Sequence, residues 1–265
     1  FDDCQNLVKQ AFADPDLAAF NLTSANSINF GRILPQIVYY VWSYAQLAGN
    51  GEEVVVSVPS GNFGDALGCE YARRMGLPVA TLVMPTNEND EFPNLLATGV
   101  YEKVQPSRAC LSNAMNVGHP SNLARFFDLY GGTVDRNGRV HRLPDMAEMR
   151  RRIFSVSVSD DETRRTIRRV YERYGAVLEP HGAVGWRGLE RFLERRGETD
   201  SPLCLSLETA HPAKFPEEIR DLLGIDPTPP PGMRDLERRT GEACALDADY
   251  GTFRRYLLDR LKTTA

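Results

Sequence analysis

The sequence predicts an α/β fold built on an open, mostly parallel sheet with flanking helices. Three short apolar runs carry that expectation: Glu53 to Val58, Val79 to Met84, and Pro202 to Leu207. The first two are joined by a glycine-bearing loop, Pro59-Ser60-Gly61-Asn62-Phe63-Gly64, and a helical stretch from Asp65 to Met75. Strand, loop, helix and strand in that order make a βαβ unit with a right-handed crossover. Continuous β-branched runs such as Val54-Val55-Val56 are how parallel strands, buried on both faces, read in sequence.

The elements follow in chain order. Cys4 to Ala13 sets Leu7, Val8, Ala11 and Phe12 at helical spacing and stops at Asp14-Pro15. A polar turn from Thr23 to Asn29 precedes an apolar segment, Gly31 to Ala48. The spacing of Ile33, Ile37, Tyr40, Val41 and Tyr44 predicts a largely buried helix there, with Pro35 tolerated in its first turn. Gly76-Leu77-Pro78 ends the helix between the first two strands. Ser107 to His119 is polar and turn-rich, and Pro120 to Tyr130 predicts a helix. Ser159 is a good N-cap, with Asp160, Asp161 and Glu162 in the first turn of a helix running to Tyr174 and ended by Gly175. The arginines at 164, 165, 168, 169 and 173 form a solvated stripe on it. Glu179-Pro180-His181-Gly182 leads into a helix from Ala183 to about Arg196, and Pro216 to Leu223 is a short helix. Pro227 to Gly232, with four prolines, is a stiff linker before an amphipathic helix from Asp249 to Lys262. The expected division is 1–30 as the end of a smaller N-terminal region, 31–225 as the α/β ligand-binding domain, and 226–265 as linker and closing helix.

Composition narrows the function classes. The 265 residues are 42% apolar and 25% charged, with a net charge of −5, which excludes collagen-like and disordered chains. No apolar run approaches the roughly 20 residues of a membrane helix. A pI near 5.5 offers no positive field for nucleic acid. Five cysteines, an odd number without a CxxC, are scattered among four equally scattered histidines. No metal site is expected, and the thiols read as reduced in a cytoplasmic protein. Phe1-Asp2-Asp3-Cys4 is neither a signal peptide nor a natural start, and the expectation is a cut end. Only four residues are lysines, Lys9, Lys103, Lys214 and Lys262, against 27 arginines.

In an open parallel sheet, ligands bind beyond the carboxyl ends of the strands. Ser60 to Asp65, Pro85 to Asp90 and Thr209 to Lys214 hold those positions. In the first, Gly61 and Gly64 let several amides converge at a helix N-terminus, an arrangement that suits a phosphate. A tight strand-to-helix turn needing glycine is the alternative. The loop lacks the GK[ST] of a Walker A motif and the spacing of GxGxxG, so a nucleotide-binding domain would rest on the glycines alone.

Five motifs then stand in order: Ser24-Ala25-Asn26-Ser27-Ile28-Asn29, Val58-Pro59-Ser60-Gly61-Asn62-Phe63-Gly64-Asp65, Leu111-Ser112-Asn113-Ala114-Met115, Glu179-Pro180-His181, and Thr209-Ala210-His211-Pro212-Ala213-Lys214-Phe215. Together they resemble the threonine synthases, pyridoxal phosphate (PLP) enzymes of fold type II, over essentially the whole chain and least between about Tyr130 and Ser159. The resemblance implies that Gly61, Asn62, Phe63 and Gly64 hold the 5′-phosphate of pyridoxal 5'-phosphate through backbone amides, with Asp65 closing the site. It implies that the Thr209 hydroxyl faces the pyridine nitrogen, leaving it neutral where a carboxylate would keep it protonated. Alternatively, Thr209 caps the turn before Pro212. Glu208 departs from the small residue common in the family. Asn26, Ser27, Asn29 and Arg32 are either a second anion site, for a phosphorylated substrate, or helix caps beside a surface arginine. His181, His211 and Asn113 either line the cleft or serve as structural hydrogen-bonders.

The family's Schiff-base lysine lies in a Phe-Lys-Asp motif upstream of the glycine loop, and this chain has no such motif. Lys214 is in a site-like segment, but the family keeps a lysine there beside the Schiff-base one. No catalytic residue is therefore expected within these residues. The expectation is the C-terminal part of a longer enzyme, inactive without the missing N-terminal region of the same polypeptide. The intact enzyme would convert O-phospho-L-homoserine and water to L-threonine and phosphate. The alternative is a non-catalytic protein of the same type that binds PLP or a phosphorylated amino acid.

Overall fold

The computed structural model describes residues 2–197, 202–233, 236–238, 240–241 and 244–262. Among them the strands are β1 (Val54–Ser57), β2 (Val79–Val83), β3 (Thr133–Val134), β4 (Val140–Arg142), β5 (Ile153–Phe154) and β6 (Leu203–Ser206). Four make one sheet in the order β5-β2-β1-β6, every pair parallel, while β3 and β4 form a separate antiparallel pair. The expected parallel α/β sheet is therefore present, with the three predicted strands adjacent. Val55 pairs with Thr81 on one side and Cys204 on the other, making β1 central and buried along its length.

The helices are α1 (Asp2–Ala13), α2 (Gln36–Leu47), α3 (Gly64–Arg74), α4 (Glu91–Thr98), α5 (Leu123–Leu129), α6 (Met146–Arg152), α7 (Asp160–Tyr174), α8 (Pro180–Arg196), α9 (Pro216–Leu223) and α10 (Tyr250–Lys262). Side chains alternate across a strand, so β1 feeds two cores. Val54 and Val56 pack with Leu67 of α3, Phe92 of α4 and Phe126 of α5. Val55 packs with Val83 and with Leu189 of α8. Ile167 and Val170 of α7 meet Ala183 of α8 and Ile219 of α9 in a further cluster. Ser159 and Glu162 make a reciprocal capping box at the start of α7, and Gly175 ends it at φ 67°.

Two expectations need correction. The segment from Gly31 does not begin as an α-helix: Phe30–Arg32 is a 3-10 turn, and α2 starts only at Gln36, after Pro35. Nor is α2 largely buried. Tyr40 is 1% exposed and Ile37 and Tyr44 pack on the core, but Val38 and Trp42 are 62% and 64% exposed. A mostly apolar helix suggests burial on most sides, yet only the stripe bearing Tyr40 packs on the core here.

The chain divides into two compact units, Asn26–Thr228 and the pair of segments Phe1–Ala25 and Pro229–Ala265. The first contains the sheet. In the second, Tyr250 donates to Asp14 at 2.6 Å and Arg254 pairs with the same carboxylate, tying α10 to the end of α1. These bonds hold the Asp14 carboxyl below its usual range. Among the described residues, no helix is long and apolar enough to cross a membrane.

Candidate functional site

A cavity of about 500 Å³ opens at the carboxyl ends of β1 and β6. Gly61 to Ala66 form one wall, and Leu207 to Thr209 form another. Gln36 and Tyr39 of α2, Ala114, Met115 and His181 complete the lining with Pro59. A larger hollow of about 760 Å³ lies beside β5, lined by Arg150, Arg151, Arg195 and Arg196. It lies along the edge strand β5, whereas the smaller cavity lies beyond the carboxyl end of the central strand β1, where ligands of open parallel sheets sit, so the smaller cavity is the candidate site. The second expected loop, Pro85 to Asp90, is not in its lining. That loop is a brace, in which Asn87 donates to the Asn116 side chain (2.9 Å) and Asn89 accepts from the Arg108 amide (2.8 Å).

The glycine loop is built by its side chains and leaves its backbone to the cavity. Phe63 sits at φ 62° in the left-handed region, with its ring buried against Phe92 and Phe126 at 5.0 and 6.1 Å. That burial offsets the cost of an unfavourable backbone conformation. Asn62 accepts from the Ser121 amide (2.7 Å) and donates to Ser27 (2.8 Å), while Asn122 donates to the Asn62 carbonyl (2.8 Å). Neither side chain caps α3, which starts with no side-chain cap at all. Its first amides face the end where an anion is favoured. At Gly61 a Cβ would lie 2.6 Å from Met115 Cα, so the loop rests directly on the Ala114–Met115 backbone.

The titratable groups of the lining are restrained. Asp65 accepts the Tyr40 hydroxyl at 2.6 Å, and burial raises its carboxyl above the usual range, against that hydrogen bond. Burial, the negative Asp65 and the hydrogen bond to it push the Tyr40 phenol well up. Glu208 is exposed along its stem, but its carboxyl end packs over Gly182, where a Cβ would lie 2.0 Å from Oε2. Burial of that end, with the neighbouring Glu179 charge, pushes Glu208 up to about 8. Glu179 is fully buried and accepts from the amides of His181 and Gly182, both at 2.8 Å.

The structure brings Gly61, Asn62, Phe63, Gly64, Asp65 and Thr209 to one cavity. Thr209 is not the cap of the following turn, because His211 caps Pro212–Lys214 through Nδ1. His211, Asn113 and Lys214 are exposed and outside the lining. Asn26, Ser27, Asn29 and Arg32 are outside it as well. Asn26 accepts from the Ile28 amide, Asn29 caps the Phe30–Arg32 turn, and Ser27 accepts from Asn62 and Asn122. Arg32 is exposed. Among the described residues no lysine lines the cavity.

Sequence reasoning missed Gln36, Tyr39 and the Tyr40–Asp65 bond. The expectation of a buried α2 hid the rim residues, and the bond joins positions 25 apart with no local signature. The role of Asn62 as a brace was also unread, since its partners come from two distant segments.

Comparison with known proteins shows which proteins this chain is similar to. Residues 182–257 match the family model for the C-terminal part of threonine synthase. The threonine synthase of Haemophilus influenzae is 40% identical over 260 residues, covering 97% of this chain and 56% of that protein. The crystal structure of threonine synthase from Escherichia coli superposes with a TM-score of 0.84 at 36% identity, covering 98% of this chain and 56% of that one. The PLP-bound threonine synthase from Brucella melitensis gives 0.77 at 31% identity, with coverages of 96% and 56%. By sequence and by fold, this chain is similar to the threonine synthases and spans about half the length of those it matches.

Proposed function

We propose that this chain supplies the phosphate cradle and the pyridine-nitrogen partner of a PLP-dependent threonine synthase in the cytoplasm. That enzyme converts O-phospho-L-homoserine and water to L-threonine and phosphate. One observation carries the reading: the Gly61–Asp65 loop and Thr209, far apart in sequence, line a single cavity. The residues fit the cofactor. An uncapped helix start suits a phosphate, Gly61 leaves no room for a side chain between loop and floor, and Thr209 offers a hydroxyl to a ring nitrogen.

When bound, PLP supplies the electron sink for carbanion chemistry on the substrate. The chain's own residues bind and orient. Amides of Gly61 to Gly64 would receive the phosphate, with Asp65 at the edge of the cradle. Thr209 would donate to the pyridine nitrogen and leave it unprotonated, and Glu208 beside it holds its own proton up to about 8. Arg32 would receive the substrate phosphate, presented by the turn that Asn26, Ser27 and Asn29 shape. The covalent lysine is assigned to polypeptide outside these 265 residues, so the chain alone would not turn over.

Calorimetric titration with pyridoxine 5′-phosphate, which cannot bond to a lysine, tests the cradle. Saturable binding competed by inorganic phosphate is expected. No threonine should form when the chain is given PLP and O-phospho-L-homoserine. Absence of binding overturns the cradle, and threonine made by the chain alone overturns the assignment of the lysine elsewhere.

A further inference from the structure

We propose that His181 is a positioning residue, a neutral strut that holds the Ala114–Met115 backbone under the glycine loop and so fixes the phosphate cradle. The inference rests on reading the cavity as that cradle. His181 is 4% exposed in the first turn of α8 and reaches the cavity wall. Its two ring nitrogens are both engaged. Nε2 lies 3.1 Å from the Ala114 amide, and Nδ1 lies 2.5 Å from Oε2 of Glu179. A backbone N–H can only donate, so Nε2 must present its lone pair and the ring proton must sit on Nδ1, donated to the carboxylate. The tautomer follows from the partners.

Glu179 is in turn locked by the amides of His181 and Gly182, and the imidazole packs against Phe215 with ring centres 5.4 Å apart. The ring therefore has no free nitrogen to offer a ligand. What it does control is Ala114, whose carbonyl would lie 3.1 Å from a Cβ on Gly61, beside Met115 Cα at 2.6 Å. A buried pair in α8 thus sets the height of the floor beneath the loop after β1.

Two substitutions separate this role from general packing. His181→Asn can still donate to Glu179 but is too short to reach Ala114. His181→Gln reaches Ala114 with its carbonyl oxygen. For pyridoxine 5′-phosphate, His181→Asn should lose about tenfold or more in affinity, the size of one lost hydrogen bond, while His181→Gln should stay within about threefold of the parent. In the chain without ligand, imidazole 15N shifts should show a protonated Nδ1 and a bare Nε2. Ala114 amide exchange should accelerate in His181→Asn and not in His181→Gln. A protonated Nε2, or equal Ala114 exchange in the two variants, overturns the strut. If the parent chain binds no pyridoxine 5′-phosphate, the cradle reading fails, and these two ligand-free measurements still decide the strut. If the parent binds and both variants bind equally well, the strut does not position the cradle.

Discussion

Gly61→Ala tests the cradle at its tightest point. The added methyl would lie 2.6 Å from Met115 Cα, 3.1 Å from the Ala114 carbonyl oxygen and 3.3 Å from Met115 Cβ. Carbon atoms rest at about 3.5–4.0 Å, so loop and floor must part by about 1 Å. The obstructing atoms are backbone and cannot swing aside, and the floor is pinned through Ala114 to His181. Overpacking of this kind costs about 1–3 kcal/mol. The same displacement moves the loop amides off a bound phosphate, and each charge-assisted bond lost is worth about 1.5–3 kcal/mol. Urea midpoints should fall accordingly, and affinity for pyridoxine 5′-phosphate should fall at least tenfold. Gly232→Ala, where nothing lies within 4 Å of the new methyl, should change stability by less than about 0.5 kcal/mol. If Gly61→Ala matches that control in stability and binds like the parent, the loop does not rest on Ala114–Met115 as described.

Two further outcomes are expected. Tyr40→Phe removes the hydroxyl that donates to Asp65 Oδ1 at 2.6 Å and lies 2.9 Å from the Asp65 carbonyl oxygen, leaving a half-buried carboxyl short of a donor. A loss of about 1.5–3 kcal/mol in urea denaturation should follow, with a further rise of the Asp65 carboxyl in a carbon NMR titration, and an unchanged midpoint would refute the bond's importance. Glu208 releases its proton near 4.5 when unfolded but holds it to about 8 when folded. Between those values the unfolded chain has lost a proton that the native chain keeps, so stability falls with rising pH and the loss is complete above about 8. Glu208→Gln removes that decline. Parent and variant should therefore diverge between pH 5 and pH 9 in urea midpoints, and a pH-independent difference would refute the raised carboxyl.

Much of the scaffold is legible in the sequence because its signals are local and long. Val54 to Val58, Val79 to Met84 and Leu203 to Leu207 are largely apolar runs bounded by turn residues, and each contains a strand. β5 and the β3–β4 pair are two or three residues long, too short for any period to appear. α4 carries Pro93 in its first turn, which reads as a break and is tolerated there only because the first-turn amides need no partner within the helix. Glycine spacing pointed to the loop after β1, but nothing local shows that Asn62 is tied to Ser27 and Ser121, or that His181 reaches Ala114. Those bonds span 35, 59 and 67 positions, and only the fold makes them neighbours.

The charge balance of the cavity is the physical feature that ties these parts together. Its described lining contains Asp65 and Glu208 and no arginine or lysine, so an anion entering it meets dipoles rather than cations. The start of α3 carries no side-chain cap, whereas Glu179 caps the start of α8. A helix terminus alone contributes at most about 2 kcal/mol, little against two ionised carboxyls in a partly desolvated space. Both carboxyls are raised instead, Asp65 by burial and Glu208 by burial and Glu179. Glu208 holds its proton up to about 8, and the Tyr40 hydroxyl donates to Asp65. A phosphate in the proposed cradle would meet acids raised above their usual range rather than a positively charged lining.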